Sequence, residues 1–239
     1  MDDHWHTPKV DWPRTLPAAA AKALRRVSTV RAYEPGEAVF GPSRDPQQVF
    51  VLEDGLVRIF RVTPAGGEFT VGYVRTGELF GEVSVLSDEP RQSFAQAKVA
   101  SRILRVPRAA FLATLREHNP VLYSVTKRIA QRVIALQSRA EDLIFMDARS
   151  RLVRLLVRLG DEHGRRDDRG LAIGLPLTHG EIATLIGTSR QTVSLLLREF
   201  TNAGLVVRRG RHLVLPKPAG LEAIARSADN RRRGSETDG

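Results

Sequence analysis

The sequence predicts an α+β chain: an antiparallel β module first, then a long helix, then a small helical unit closed by a β-hairpin. Three observations predict it. From about Tyr33 to Pro107, short β-branched and aromatic runs alternate with Pro-Gly, Asp-Gly and Gly-Gly turn signals. From Leu122 to Leu143, apolar residues recur at steps of three or four. From Leu177 to Val206, LTHGEIATLIGTSRQTVSLLLREFTNAGLV gives two amphipathic stretches on either side of a glycine.

Residues 1–27 form an N-terminal extension. Its first part, MDDHWHTPKVDWPRTLP, is broken by three prolines and lacks the apolar run of a signal peptide. AAAAKALRRV (Ala18–Val27) reads as a short helix. The β module occupies 28–107, with strands expected in YEPGEAVF, QQVFVLEDGLVRIFRV, EFTVGYVRTGELFGEV and AKVASRILRVP. Residues 108–146 are helical. PRAAFLATLREHNP predicts a helix stopped before Pro120, because the residue before a proline avoids helical backbone. The long helix then carries one seam: Leu122, Val125, Ile129, Val133, Leu136, Ala140 and Leu143. Its own β module or the same helix of a second subunit could cover the seam; because it outruns what a small β module covers, the second subunit of a homodimer is the favoured cover.

The last folded region is 147–220: a helix in SRLVRLLVRLGDE, a loop in HGRRDDRG, the two short helices, and a hairpin in LVVRRGRHLVL around Arg-Arg-Gly-Arg. Residues 221–239 read as a polar, disordered tail.

Composition narrows the function. The chain has 239 residues, 42% hydrophobic and 27% charged, and no apolar run of the roughly 20 residues that span a bilayer. These features predict a cytoplasmic protein with no membrane partner. The absence of cysteine excludes disulfides, thiolate zinc sites, Cys-ligated iron–sulfur clusters and Cys nucleophiles. The six histidines are scattered, and no catalytic triad or carboxylate pair emerges, so neither an enzyme nor a metal site is expected. The formal net charge is +10; 20 basic residues face 16 acidic ones up to Met146, and 17 face 11 beyond it. The shorter C-terminal part is the more basic, which suits a polyanion partner.

Within the two short helices, Thr178 and Glu181 form a capping-box pattern, Gly187 allows the turn, and Ser189 or Thr188 caps the second helix. Val193, Leu196, Leu197 and Phe200 form its apolar face; Arg190, Gln191, Ser194 and Arg198 lie opposite. Such a helix suits the major groove of double-stranded DNA. Arg190 can pair with guanine O6 and N7, and Gln191 with adenine. Thr178, His179, Ser189, Thr192 and Arg198 have the reach for phosphates, and Arg209 and Arg211 of the hairpin for the flanking backbone.

This segment resembles the winged helix–turn–helix of the CRP/FNR family of bacterial transcription regulators, whose pattern T-x-x-E-I-A-x-x-x-G-x-S-R-x-T-V-S-x-x-L is matched from Thr178 to Leu197 at nearly every stated position. The resemblance covers about 30–217. It implies a cyclic-nucleotide-binding-type jelly-roll, a dimerisation helix and a C-terminal DNA-binding domain, with the Gly160–Gly170 loop as a candidate contact for RNA polymerase. Two departures bear on base preference. In the cyclic-AMP receptor branch a glutamate follows the recognition arginine and a second arginine comes five residues after it; this chain has Gln191 and Leu195.

GELFGEVSVLSDEPRQSFAQA (Gly77–Ala97) is similar to the phosphate-binding cassette of the same family. The resemblance implies that Gly81 approaches a nucleotide, Glu82 accepts from a ribose hydroxyl and Arg91 neutralises a cyclic phosphate. Gln92 replaces a small hydroxyl residue, and Leu136 and Gln137 replace the Thr-Ser that contacts adenine. Glu82 and Arg91 paired with each other as a structural remnant would explain the cassette equally. Cyclic AMP, another ligand, or no ligand all stay open at this stage. The competing functional classes are a nucleotide-sensing interaction module and a non-specific DNA binder.

Overall fold

The computed structural model describes residues 16–64, 66–210 and 212–225. They form two compact units, one running to Arg132 and the other beginning at Val133. The first unit holds two four-stranded antiparallel sheets. In one, β1 (Thr29–Tyr33), β8 (Ser101–Pro107), β3 (Gln48–Asp54) and β6 (Leu79–Phe80) lie in that order. In the other the order is β2 (Ala38–Phe40), β7 (Phe94–Ala97), β4 (Leu56–Val62) and β5 (Glu68–Arg75). This is the jelly-roll expected from the sequence.

Period-two alternation explains how the first sheet is buried on both faces. Phe50, Leu52 and Ile103 point between the sheets and meet Val57, Val74, Ala95 and Ala97 of the second sheet. Val49, Val51, Leu104 and Val106 point the other way, under helices. Those helices are Ala18–Val27, Arg108–Glu117 and the start of Asn119–Phe145, which contribute Leu24, Phe111, Leu115, Val121 and Val125. Full burial of each such side chain stabilises by about 1.5–3 kcal/mol relative to exposure. Pro120 falls in the first turn of the long helix, where its missing N–H breaks no bond.

The long helix divides the expected seam. Val121, Val125 and Ile129 pack into the β-module core, so Val125 and Ile129 are corrected from subunit contacts to core residues. Leu122, Val133, Leu136, Ala140 and Leu143 stay at least partly exposed, and Ile134 and Tyr123 join them. A helix turns about 100° per residue, so an apolar stripe at steps of three and four is wide enough to serve two neighbours.

In the second unit, helix Ala148–His163 opens with Asp147 accepting from Ser150 N at 2.7 Å. A four-stranded antiparallel sheet follows in the order β11 (Val207–Arg209), β12 (His212–Leu215), β10 (Gly170–Ile173), β9 (Gly164–Asp167). The β11–β12 hairpin is the one the sequence predicts. The stretch read as a loop after His163 is instead a second hairpin, with Gly170 opposite Asp167. Gly170 has φ +130°, and a Cβ there would lie 2.4 Å from the Leu215 carbonyl oxygen, so only glycine closes it. The first residues assigned to the polar tail belong instead to a helix over 218–225, with Leu221 fully buried; the rest of that expected tail, 226–239, lies outside the described residues.

Candidate functional site

The two short helices are His179–Ile186 and Arg190–Asn202. Thr178 Oγ1 accepts from Glu181 N at 3.1 Å, and Glu181 Oε2 accepts from Thr178 N at 2.8 Å, completing the capping box. Gly187 ends the first helix at φ +64°, ψ +53°. Ser189 Oγ accepts from Thr192 N at 3.0 Å and starts the second. Arg151, from the preceding helix, donates through Nε to the Ile186 carbonyl at 2.7 Å and through Nη2 to the Gly187 carbonyl at 3.3 Å. A cation thus satisfies carbonyls that the first helix leaves open at its C-terminus.

On the second helix Val193, Leu196, Leu197 and Phe200 are buried, while Arg190, Gln191 and Arg198 are exposed. Arg190, Gln191 and Ser194 line one concave patch. The other candidate residues have local partners. The Thr178, Ser189 and Thr192 hydroxyls serve the helix starts, and Ser194 Oγ donates to the Arg190 carbonyl at 2.9 Å.

His179 joins three elements. Its Nδ1 lies 2.7 Å from Ser194 Oγ, and its Nε2 lies 3.2 Å from Nη1 of Arg208, a residue of β11. Arginine only donates, so Nε2 accepts and Nδ1 carries the proton towards Ser194. Burial first, then the charges of Arg208 and Arg190, hold the His179 pKa below its ordinary value. Sequence reasoning assigned the hairpin contacts to Arg209 and Arg211. Arg209 pairs with Asp167 at 3.3 Å, and Arg211 lies outside the described residues. Arg208 was missed; alternation along the strand from Arg209 was the signal available.

In the first unit the cassette residues come together around an aromatic cluster. Gly81 adopts φ +77°, where a Cβ would lie 3.0 Å from the Phe50 ring and 3.1 Å from Arg91 Nη2. Arg91 Nη2 donates to the Gly81 and Gln48 carbonyls, each at 2.9 Å, and its guanidinium lies 4.1 Å from the Phe40 ring centre. Glu82 is fully buried and pairs with Arg132 of the long helix. The cassette glutamate and arginine therefore take separate partners rather than each other. Burial lowers the Arg91 pKa, and the nearby Glu82 charge partly restores it. Glu82 Oε2 and Arg91 Nε are buried with no hydrogen-bond partner. Arg61 donates to the side chain of Gln92. Leu136 and Gln137 lie on the part of the long helix that belongs to the second unit, both exposed. Four residues before Arg132, buried Arg128 faces Glu78 at 3.6 Å. Neither arginine was singled out in the sequence, because the reading of this helix followed its apolar positions alone.

Among the described residues, no helix is long and apolar enough to cross a membrane. A cyclic nucleotide-binding domain matches residues 30–118, and a Crp-like helix-turn-helix domain matches residues 150–224. The chain is 33% identical over 196 residues to the cyclic AMP receptor protein of Thermus thermophilus, covering 82% of this chain and 87% of that protein. It is 28% identical over 211 residues to the CRP-like cAMP-activated global transcriptional regulator of Mycobacterium tuberculosis, covering 88% and 91%. The crystal structure of a CRP-family transcriptional regulator from Thermus thermophilus aligns with a TM-score of 0.69 at 25% identity, covering 82% of this chain and 96% of that one. Jelly-roll, long helix and capped helix–turn–helix occur here in one chain, and both domain matches fall on them: the protein belongs to the CRP/FNR family of transcription regulators and carries its DNA-binding helix–turn–helix domain.

Proposed function

We propose that the protein acts in the cytoplasm as a homodimer on a near-palindromic promoter site and is not an enzyme. One observation carries this reading: Arg190, Gln191 and Arg198 stand exposed on helix Arg190–Asn202, Arg190 beside the buried residues in the first turn and Gln191 and Arg198 on the outer face. Each subunit inserts that helix into the major groove of one half-site, with half-sites about one helical turn apart. Arg190 reads a guanine and Gln191 the neighbouring pair; Arg208 and Arg209 approach flanking phosphates. The exposed apolar residues Leu122, Val133, Leu136 and Leu143 form the subunit interface, an assignment supported by their clustering on one long helix. The strand and turn between Gly160 and Gly170 are the surface for RNA polymerase.

Glu82, Arg91 and Gly81 are the groups that would hold a cyclic nucleotide. The two buried atoms without partners, Glu82 Oε2 and Arg91 Nε, suit a hydroxyl donor and a phosphate acceptor. The cAMP-activated relative adds support for cyclic AMP as that ligand.

The test is fluorescence-anisotropy binding to a selected palindromic duplex and to random duplex at fixed salt, with and without cyclic AMP. The expected result is specific binding that cyclic AMP strengthens about tenfold, a coupling of about 1.4 kcal/mol. Arg190→Ala should relax selection at one guanine and cost about 1–3 kcal/mol. No preference over random DNA in either condition refutes the DNA-reading role. Specific binding that cyclic AMP leaves unchanged refutes the effector assignment alone.

A further inference from the structure

Leu195 is the one apolar side chain on the outer face of helix Arg190–Asn202, and it is 59% exposed. Counting about 100° per residue, it sits within about 30° of the direction opposite the centre of the buried face. Gln191, assigned to a base edge, lies one turn before it on this face, and Arg198, assigned to a phosphate, three residues after it, so it stands between two side chains placed to reach DNA. An isolated surface leucine needs no explanation on an ordinary helix. Here every neighbour on the face is polar, and the face is the one turned to DNA.

We propose that Leu195 is a specificity-determining residue that reads the C5-methyl group of one thymine in each half-site. This rests on the DNA-reading role of the helix. A leucine offers base edges no hydrogen bond, so it cannot select guanine, adenine or cytosine through their donors and acceptors. The thymine methyl is the apolar group the major groove displays, and contact removes both surfaces from water. More than half of the side chain faces solvent, so the desolvation of that part is available to the complex. The position is also where the cyclic-AMP receptor branch carries an arginine. The exchange converts a hydrogen-bonding reader into an apolar one.

The experiment replaces each thymine of the selected duplex in turn with deoxyuridine, which keeps every hydrogen-bonding group and deletes only the methyl. Affinities of the full-length protein are compared with those of Leu195→Ala and Leu195→Met. One thymine per half-site should lose about threefold to fivefold per methyl with the unsubstituted protein, the size of one buried methyl. Leu195→Met, which keeps an apolar tip, should retain that penalty, and Leu195→Ala should abolish it. A penalty absent at every thymine, or undiminished in Leu195→Ala, overturns the proposal while leaving sequence-specific binding intact. Loss of preference for the selected duplex in the unsubstituted protein overturns the DNA-reading role and this inference with it.

Discussion

Gly187→Ala tests how the turn between the two short helices is held. Gly187 occupies left-handed backbone at φ +64°, which costs a side-chain-bearing residue about 1–2 kcal/mol. The new Cβ would also lie 2.4 Å from Leu143 Cδ2, inside any real contact distance. Leu143 is 53% exposed and can swing away, at a cost of about 0.5–1.5 kcal/mol if it leaves its rotamer well. The two terms give a loss of about 1.5–3.5 kcal/mol. The stretch Val133–Gly239 contains no tryptophan or tyrosine, so no fluorophore within it reports on the turn. Amide hydrogen exchange at Val193, Leu196 and Leu197 does. Their exchange should accelerate by roughly 10-fold to several hundred-fold, and by less when Gly187→Ala is made in a Leu143→Ala background. An acceleration below about threefold would show that the turn carries no left-handed strain and that Leu143 does not cover it.

Two further outcomes follow from charge. Asp142 is buried beside Arg154, and its charge also offsets Arg139, which burial lowers to about 10, and Arg158. Asp142→Asn breaks the buried pair with Arg154, while Glu162 still offsets Arg139 and Arg158, and should cost about 3 kcal/mol in the second unit; a loss under about 1 kcal/mol by hydrogen exchange contradicts that role. His179 has its folded pKa depressed, so the unfolded chain binds more protons below the ordinary value of 6.5. Stability is therefore full above that value and falls as pH drops through the lower folded pKa, when protonation ends Arg208's donation to Nε2. The melting midpoint of the second unit should drop further between about pH 7.5 and about pH 5.5 in the unsubstituted protein than in His179→Gln. Equal drops would place the pH dependence elsewhere.

What the sequence revealed was mainly local. The capping box of Thr178 and Glu181 spans four residues, and the Gly187 turn and Ser189 cap follow close behind, so residue types and spacing were sufficient. The antiparallel β module was legible because the turn signals between runs are themselves local, and its jelly-roll form only through the family resemblance. Partners far apart in the chain were not. Glu82 finds Arg132 fifty residues away, Arg151 reaches a carbonyl thirty-five residues on, and His179 meets Arg208 twenty-nine residues on. Long arginine side chains reach acceptors on several elements, and periodicity does not say which. Two residues of the seam were misassigned for a different reason. Periodicity identifies an apolar stripe without identifying its cover, and Val125 and Ile129 took the nearer one. The hairpin after His163 was hidden because its strand GRRD is entirely polar; its pairing is carried by backbone groups and by Gly170.

The carbonyls on Arg91 have a consequence for response thresholds. Nη2 of the guanidinium is already taken by the Gly81 and Gln48 carbonyls and the group lies over Phe40, so the protein supplies its own competitor for any anion entering at that nitrogen. An anion therefore gains only the difference between its bonds and those it displaces, except at Nε, which has no acceptor to give up. Affinity at such a site is a property of exchange rather than of charge. A weakly coordinating anion is screened out by the main chain itself, and discrimination between ligands begins before any base-edge contact is made.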